Sequence, residues 1–120
     1  MNRKTFETYL AEHLGAVSIR AVGKGKEYAE DANAFTNFEK GVAISLHDEP
    51  EAVCWEYLCK HLQSIKDMVN AVNISGQVTG YPTREMLYEK VGDAVLYLIL
   101  LQAMFDKRIK EYEAENSVTL

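Results

Sequence analysis

Apolar residues recur along this chain at three- and four-residue steps, the spacing that gathers them on one face of a helix. Phe6, Leu10, His13/Leu14, Val17 and Ala21 set the first pattern and predict a helix over about residues 4–28. Gly15 and Gly23 weaken it, and Gly23-Lys24-Gly25-Lys26 is expected to end or bend it. Phe35, Phe38, Val42 and Ile44/Ser45 predict a shorter second helix over residues 34–46, with those positions inward. Trp55, Leu58/Cys59, Leu62, Ile65, Val69 and Val72 predict a third over residues 50–72. Asp48 is placed to cap it, and Pro50 lies in its first turn. Residues 73–82 contain two glycines and a proline and break the pattern. Thr83 would then cap a last helix over residues 84–113, which at 1.5 Å per residue would be about 45 Å long. No internal repeat, low-complexity tract or period-two alternation is evident. The expectation is a single all-α domain, a four-helix bundle spanning residues 1–120. Its residues 105–120 read as a solvated or oligomer-forming extension of the long C-terminal helix.

One carboxylate interrupts this pattern where it matters. Asp93 precedes eight consecutive uncharged residues, 94–101, the most apolar stretch of the chain. A helix apolar on every face must be surrounded by protein, so Asp93 is expected where its helix enters the core. A buried ionised carboxylate is costly unless paired, hydrogen-bonded or metal-bound. Lys24, Lys26 and Lys60 are the candidate counter-cations, and Mg²⁺ is the alternative. Glu85, Glu89 and Asp93 form one i, i+4, i+8 acidic stripe that invites a cation, and Glu27 and Asp31 would supply further metal ligands. A lysine pair is the commoner answer to burial and is favoured here over a metal.

Composition narrows the classes. At 48% hydrophobic and 26% charged the chain is ordinary for a globular domain, and a net charge of −5 leaves no broad basic surface for a nucleic-acid backbone. The longest apolar run is too short for a bilayer and no signal peptide is evident, so the chain reads as cytoplasmic. Cys54 and Cys59 lack a zinc spacing and are expected as reduced thiols. His13, His47 and His61 lie in three different elements without metal-ligand spacing, and no nucleophile elbow or P-loop occurs.

Two segments carry candidate chemistry. Lys60, Ser64 and Asp67 share one edge of the third helix, flanked by His61, either lining a pocket or forming a plain solvated row. Around the end of the first helix, Lys24 and Lys26 suit phosphates, Asn33 and Asn37 suit amide-like base edges, and Tyr28, Phe35 or Phe38 suit base stacking. The alternative there is structural, with Asn33 capping the second helix and both phenylalanines in the core.

Together Lys24-Gly25-Lys26-Glu27-Tyr28, Asn37-Phe38, Trp55…Lys60-His61…Ser64-Ile65 and Glu89…Gly92-Asp93…Tyr97 resemble small phage and prophage proteins. These are similar to the family called nucleotide modification associated domain, itself similar to all-α nucleotide pyrophosphohydrolases of the MazG type. The resemblance spans about residues 20–105 and implies a helical fold with a nucleotide-sized pocket lined by the residues just named. MazG-type enzymes hold Mg²⁺ with an EExxE motif and an ExxD motif. Here Lys90 stands at the glutamate of the second, beside Glu89, and the third helix carries Lys60, His61 and Ser64 in place of EExxE.

That exchange of acids for bases favours ligand capture over hydrolysis. The leading expectation is a phage-type nucleotide-binding protein, acting in nucleotide or modified-base metabolism or sequestering a nucleotide signal of host defence. Lys24, Lys26 and Lys60 would hold phosphates, Asn37, His61 and Ser64 would orient the ligand with Tyr28 beside it, and Asp93 would bind base, ribose or the lysines. The alternatives are a Mg²⁺-dependent nucleotide pyrophosphohydrolase using Glu27, Asp31, Glu89 and Asp93, and a non-catalytic module that binds a host protein. In each case a homo-oligomer is expected, because the last helix overhangs the bundle and has more apolar faces than the bundle can cover.

Overall fold

The structure is a computed structural model that describes residues 1–28, 33–80 and 82–117, with the side chains of residues 25–28 excepted. Among the described residues it contains four helices and no strand: α1 (Arg3–Tyr28), α2 (Thr36–Ile44), α3 (Pro50–Asn70) and α4 (Arg84–Ser117). The all-α expectation holds. Glycines weaken a helix without forbidding one, and α1 runs unbroken through Gly15, Gly23 and Gly25.

Helix starts follow local chemistry. Thr83 Oγ1 accepts a hydrogen bond from the Met86 amide at 3.1 Å, capping α4 as expected. Asp48 does not cap α3. Glu49 occupies that position in extended conformation without a side-chain bond, and Pro50 takes the first helical site. Asn33 organises α2 from just outside it: its side-chain oxygen accepts from the Phe35 amide, and its carbonyl accepts from Thr36 Oγ1. Between α3 and α4 the chain doubles back through a single antiparallel bridge, Val72 to Val78, with Gly76 and Gly80 at positive φ.

The core lies between α2, α3 and α4. Phe38, Val53, Cys54 and Met104 form it, with Phe35, Val42, Tyr57, Tyr97, Leu100 and Leu101 packed around them. Leu58 is fully buried on α3. Gly41 permits the close approach of α2, since a methyl there would come within 2.8 Å of Val53 Cγ1. Burial thus follows the Val53/Cys54/Leu58 side of α3. Trp55, expected inward, is 53% exposed, and Leu62, Val69 and Val72 are exposed as well. Ile44 is also outside, while Phe38 is buried as expected. Desolvation pushes the Cys54 thiol up to about 11, so it acts as a small apolar side chain; Cys59 is exposed and also free.

α1 packs on α4, and among the described residues none of α1 belongs to the core between α2, α3 and α4. Gly92 makes that contact possible: a Cβ there would lie 3.3 Å from Val17 and 3.6 Å from the Arg20 guanidinium. Beyond Met104, α4 has no buried residue among those described. Its extension is tied to α3 by Arg108, which donates to Glu51 at 2.6 and 2.9 Å and to Glu49 at 2.6 Å.

Those hydrogen bonds from Arg108 hold the Glu51 carboxyl below its ordinary value of 4.5. A depressed carboxylate contributes stability above its unfolded value and loses that contribution as pH falls through the folded value. Arg108→Gln is therefore expected to lower the urea midpoint at neutral pH. The difference from the parent should shrink as the pH drops below 4.5, the unshifted value for Glu51. A difference that stayed constant across that range would remove the ion pair as its cause.

Candidate functional site

α1 and α4 meet at the carboxylate that the sequence singles out. Lys24 Nζ donates to Asp93 Oδ1 at 2.7 Å, across 69 residues of sequence. Asp93 is 13% exposed at its side chain and Lys24 33%, so the pair is shielded on one side and open on the other. Of the candidate counter-cations, Lys24 is thus the one seen on Asp93. Lys60 is elsewhere, with its ammonium 5.7 Å above the Tyr57 ring.

The open side of the pair forms one end of a cleft of about 440 Å³, lined by Ala21, Asn37, Phe38, His61, Tyr97 and Leu100 among others. That volume lies within the range of small-molecule sites. Its wall is aromatic. His61 stacks on Tyr97 with centroids 4.9 Å apart at 24°, and Tyr97 meets Phe38 edge-on at 5.9 Å. Tyr57 closes the set behind them. Asn37 stands on the exposed side of α2, where its amide reaches the cleft. The cleft therefore combines a flat π surface, one amide, and an ion pair whose cation is partly open to solvent.

Lys24, Asn37, His61 and Asp93 are thus brought together by four different helices. Ser64 is not with them: its hydroxyl donates to the Lys60 carbonyl, and it borders a separate hollow with Asp67, Met86 and Lys90. Asp67 accepts from Gln63, so no Lys60–Ser64–Asp67 side-chain line forms. The side chains of Lys26, Glu27 and Tyr28 lie outside the described residues, as does Asp31 altogether. Glu85 and Glu89 are exposed, and among the described residues no three His, Cys, Asp or Glu side chains gather to hold a metal ion.

The other histidines are structural contacts. His13 stacks on Tyr9 at 3.9 Å and meets Tyr88 at 4.7 Å, binding α1 to α4. His47 Nε2 shares a 2.7 Å hydrogen bond with the Glu56 carboxylate.

Arg20 belongs to the site and was missed in the sequence. It sits one turn before Lys24, and with Val17, Ala21, Lys24, Gly92, Asp93 and Leu96 it encloses the α1–α4 junction. Its Nη1 is buried without a hydrogen-bond partner. Among the described residues that line the junction, Arg20 and Lys24 carry positive charge and Asp93 negative. The i, i+3, i+4, i+7 spacing of Val17, Arg20, Ala21 and Lys24 was the available signal, because it sets both cations on the face that meets α4. No protein-family model, curated protein or solved structure matches the chain.

Proposed function

We propose that this chain binds a nucleotide or cyclic nucleotide in the cleft between α1, α2, α3 and α4, and holds it without turnover. The observation that carries the reading is the cleft itself, where an aromatic wall faces the Lys24–Asp93 ion pair, with Arg20 beside it. A base would stack on His61 and Tyr97. Asn37 would read a base edge through its donor and acceptor. Lys24 would turn part of its three-donor ammonium toward a phosphate while Asp93 keeps it in place.

Capture is favoured over hydrolysis because Asp93, the acid the enzyme reading most needs, is occupied by Lys24. Lys90 also stands where the ExxD motif would have its glutamate. A small MazG-like phage protein acting this way would remove a nucleotide signal of host defence from circulation, or serve modified-base metabolism. It would work as a homo-oligomer in the cytoplasm.

Calorimetric titration with nucleoside triphosphates, monophosphates and cyclic dinucleotides, with and without Mg²⁺, tests the reading. Saturable binding of at least one class with the nucleotide recovered intact is expected. Mg²⁺-dependent release of pyrophosphate would replace capture by hydrolysis. Absence of heat across the whole panel would remove the nucleotide reading and leave a protein-binding module.

A further inference from the structure

We propose that α4 pairs antiparallel with α4 of a second copy of this chain, about a two-fold axis near Gln102. This deepens the oligomer part of the preceding reading and is independent of what the cleft binds.

α4 has two apolar faces. One meets the core through Tyr97, Leu100, Leu101 and Met104. On the other, Val91, Leu98, Phe105 and Tyr112 recur every seven residues and are 41%, 49%, 51% and 67% exposed. Ile109, also about half exposed, lies four residues after Phe105. A seven-residue apolar repeat is the spacing that seats one helix along another. No charged residue interrupts this seam from Val91 to Tyr112, and Gln102 is its polar member, at the centre.

The chain as a whole exposes more surface than a compact monomer, enough to accommodate such a contact. The chain exposes 9294 Å² at a mass of 13.6 kDa, whereas a folded monomer of that mass exposes about 6,600 Å². Its radius of gyration is 18.1 Å against about 14 Å for a globular chain of this length. The surplus of about 2,700 Å² exceeds the roughly 800 Å² per partner that a standard specific interface buries.

The seam is complementary to itself, which points to a second copy and not to a foreign helix. An antiparallel two-fold sets Leu98 against the partner's Phe105 and Val91 against the partner's Tyr112. Gln102 then lies about half a residue from the axis, close to its own counterpart, and a primary amide is both donor and acceptor, so it can pair with an identical amide. The two helix dipoles oppose one another, which is favourable. An isologous contact needs this kind of symmetry and a heterologous one does not.

Two measurements on the full chain test the pairing. The wild type is expected to sediment as a dimer. In a Cys59→Ser background, Gln102→Cys should oxidise to a covalent dimer, whereas Val91→Cys, far from the axis, should not. Leu98→Glu combined with Phe105→Glu should give a monomer with the parent's helical circular dichroism. If that variant does not fold, the cross-links alone decide. A monomeric wild type, a dimer that survives both glutamates, no cross-link at Gln102→Cys, or an efficient one at Val91→Cys would each overturn the proposal.

Discussion

Lys24→Met is expected to weaken nucleotide binding at least tenfold and to lower the unfolding free energy by about 1–3 kcal/mol. Both effects come from one atom. Lys24 Nζ compensates the shielded Asp93 carboxylate at 2.7 Å, and it is the described cation that lines the aromatic cleft. Removing it leaves an acid without its partner and a phosphate without its donor. The two roles separate on the other side of the pair. Asp93→Asn also costs stability, but it leaves the Lys24 ammonium at the cleft, so affinity should fall less than in Lys24→Met. The double variant should regain part of the stability and none of the affinity. Urea unfolding and calorimetry on all four proteins read this cycle. Strictly additive stabilities would mean the pair is not coupled, and unchanged affinity in Lys24→Met would detach the lysine from the ligand.

The second large effect is on the core. Leu58→Ala should cost about 2–5 kcal/mol, the range for deleting a buried leucine side chain and leaving a cavity. Leu58 is fully buried on α3. A domain of ordinary stability has about 5–15 kcal/mol in total, so this change alone takes a large share. Leu62, one turn further along, is 40% exposed. Leu62→Ala should cost less than about 1 kcal/mol, since less apolar area leaves contact with the interior. Denaturant midpoints compare the two directly. Similar losses at both positions would mean that the helix buries a different face in solution.

That comparison shows where periodicity stops being informative. Helix existence was legible in the chain because spacing, caps and breakers are local: Thr83 caps α4, Pro50 opens α3, and the glycine-rich connection separates them. Which flank of α3 faces inward was not, because its apolar residues cover more than one face and the neighbours choose among them. α2, brought close through Gly41, selected the Val53/Cys54 side and left Trp55 outside. In α1 two glycines that read as a break were carried through as helix.

The candidate site divides the same way. That Asp93 needs compensation followed from its place in an apolar run, by electrostatics alone. That Lys24 supplies it, and Lys60 does not, depended on where α1 crosses α4, and Gly92 allows that crossing by having no side chain. Asn37 and His61 share the cleft although 24 positions separate them in the chain. Ser64, one turn from His61 on the same helix, turns instead to the Lys60 carbonyl. Arg20 was not legible as a site residue, because an arginine on an amphipathic helix is commonly solvated; its Nη1 is buried at the junction beside Gly92.

By itself, then, the chain determined its helices, their breaks and the one acid that must find a partner, since each rests on interactions within a few residues. Tertiary structure decided which lysine answers that acid, which face of α3 is core, and which apolar seam of α4 stays uncovered. Those outcomes depend on how helices cross, and a crossing is set by the shapes of two surfaces that no local pattern contains.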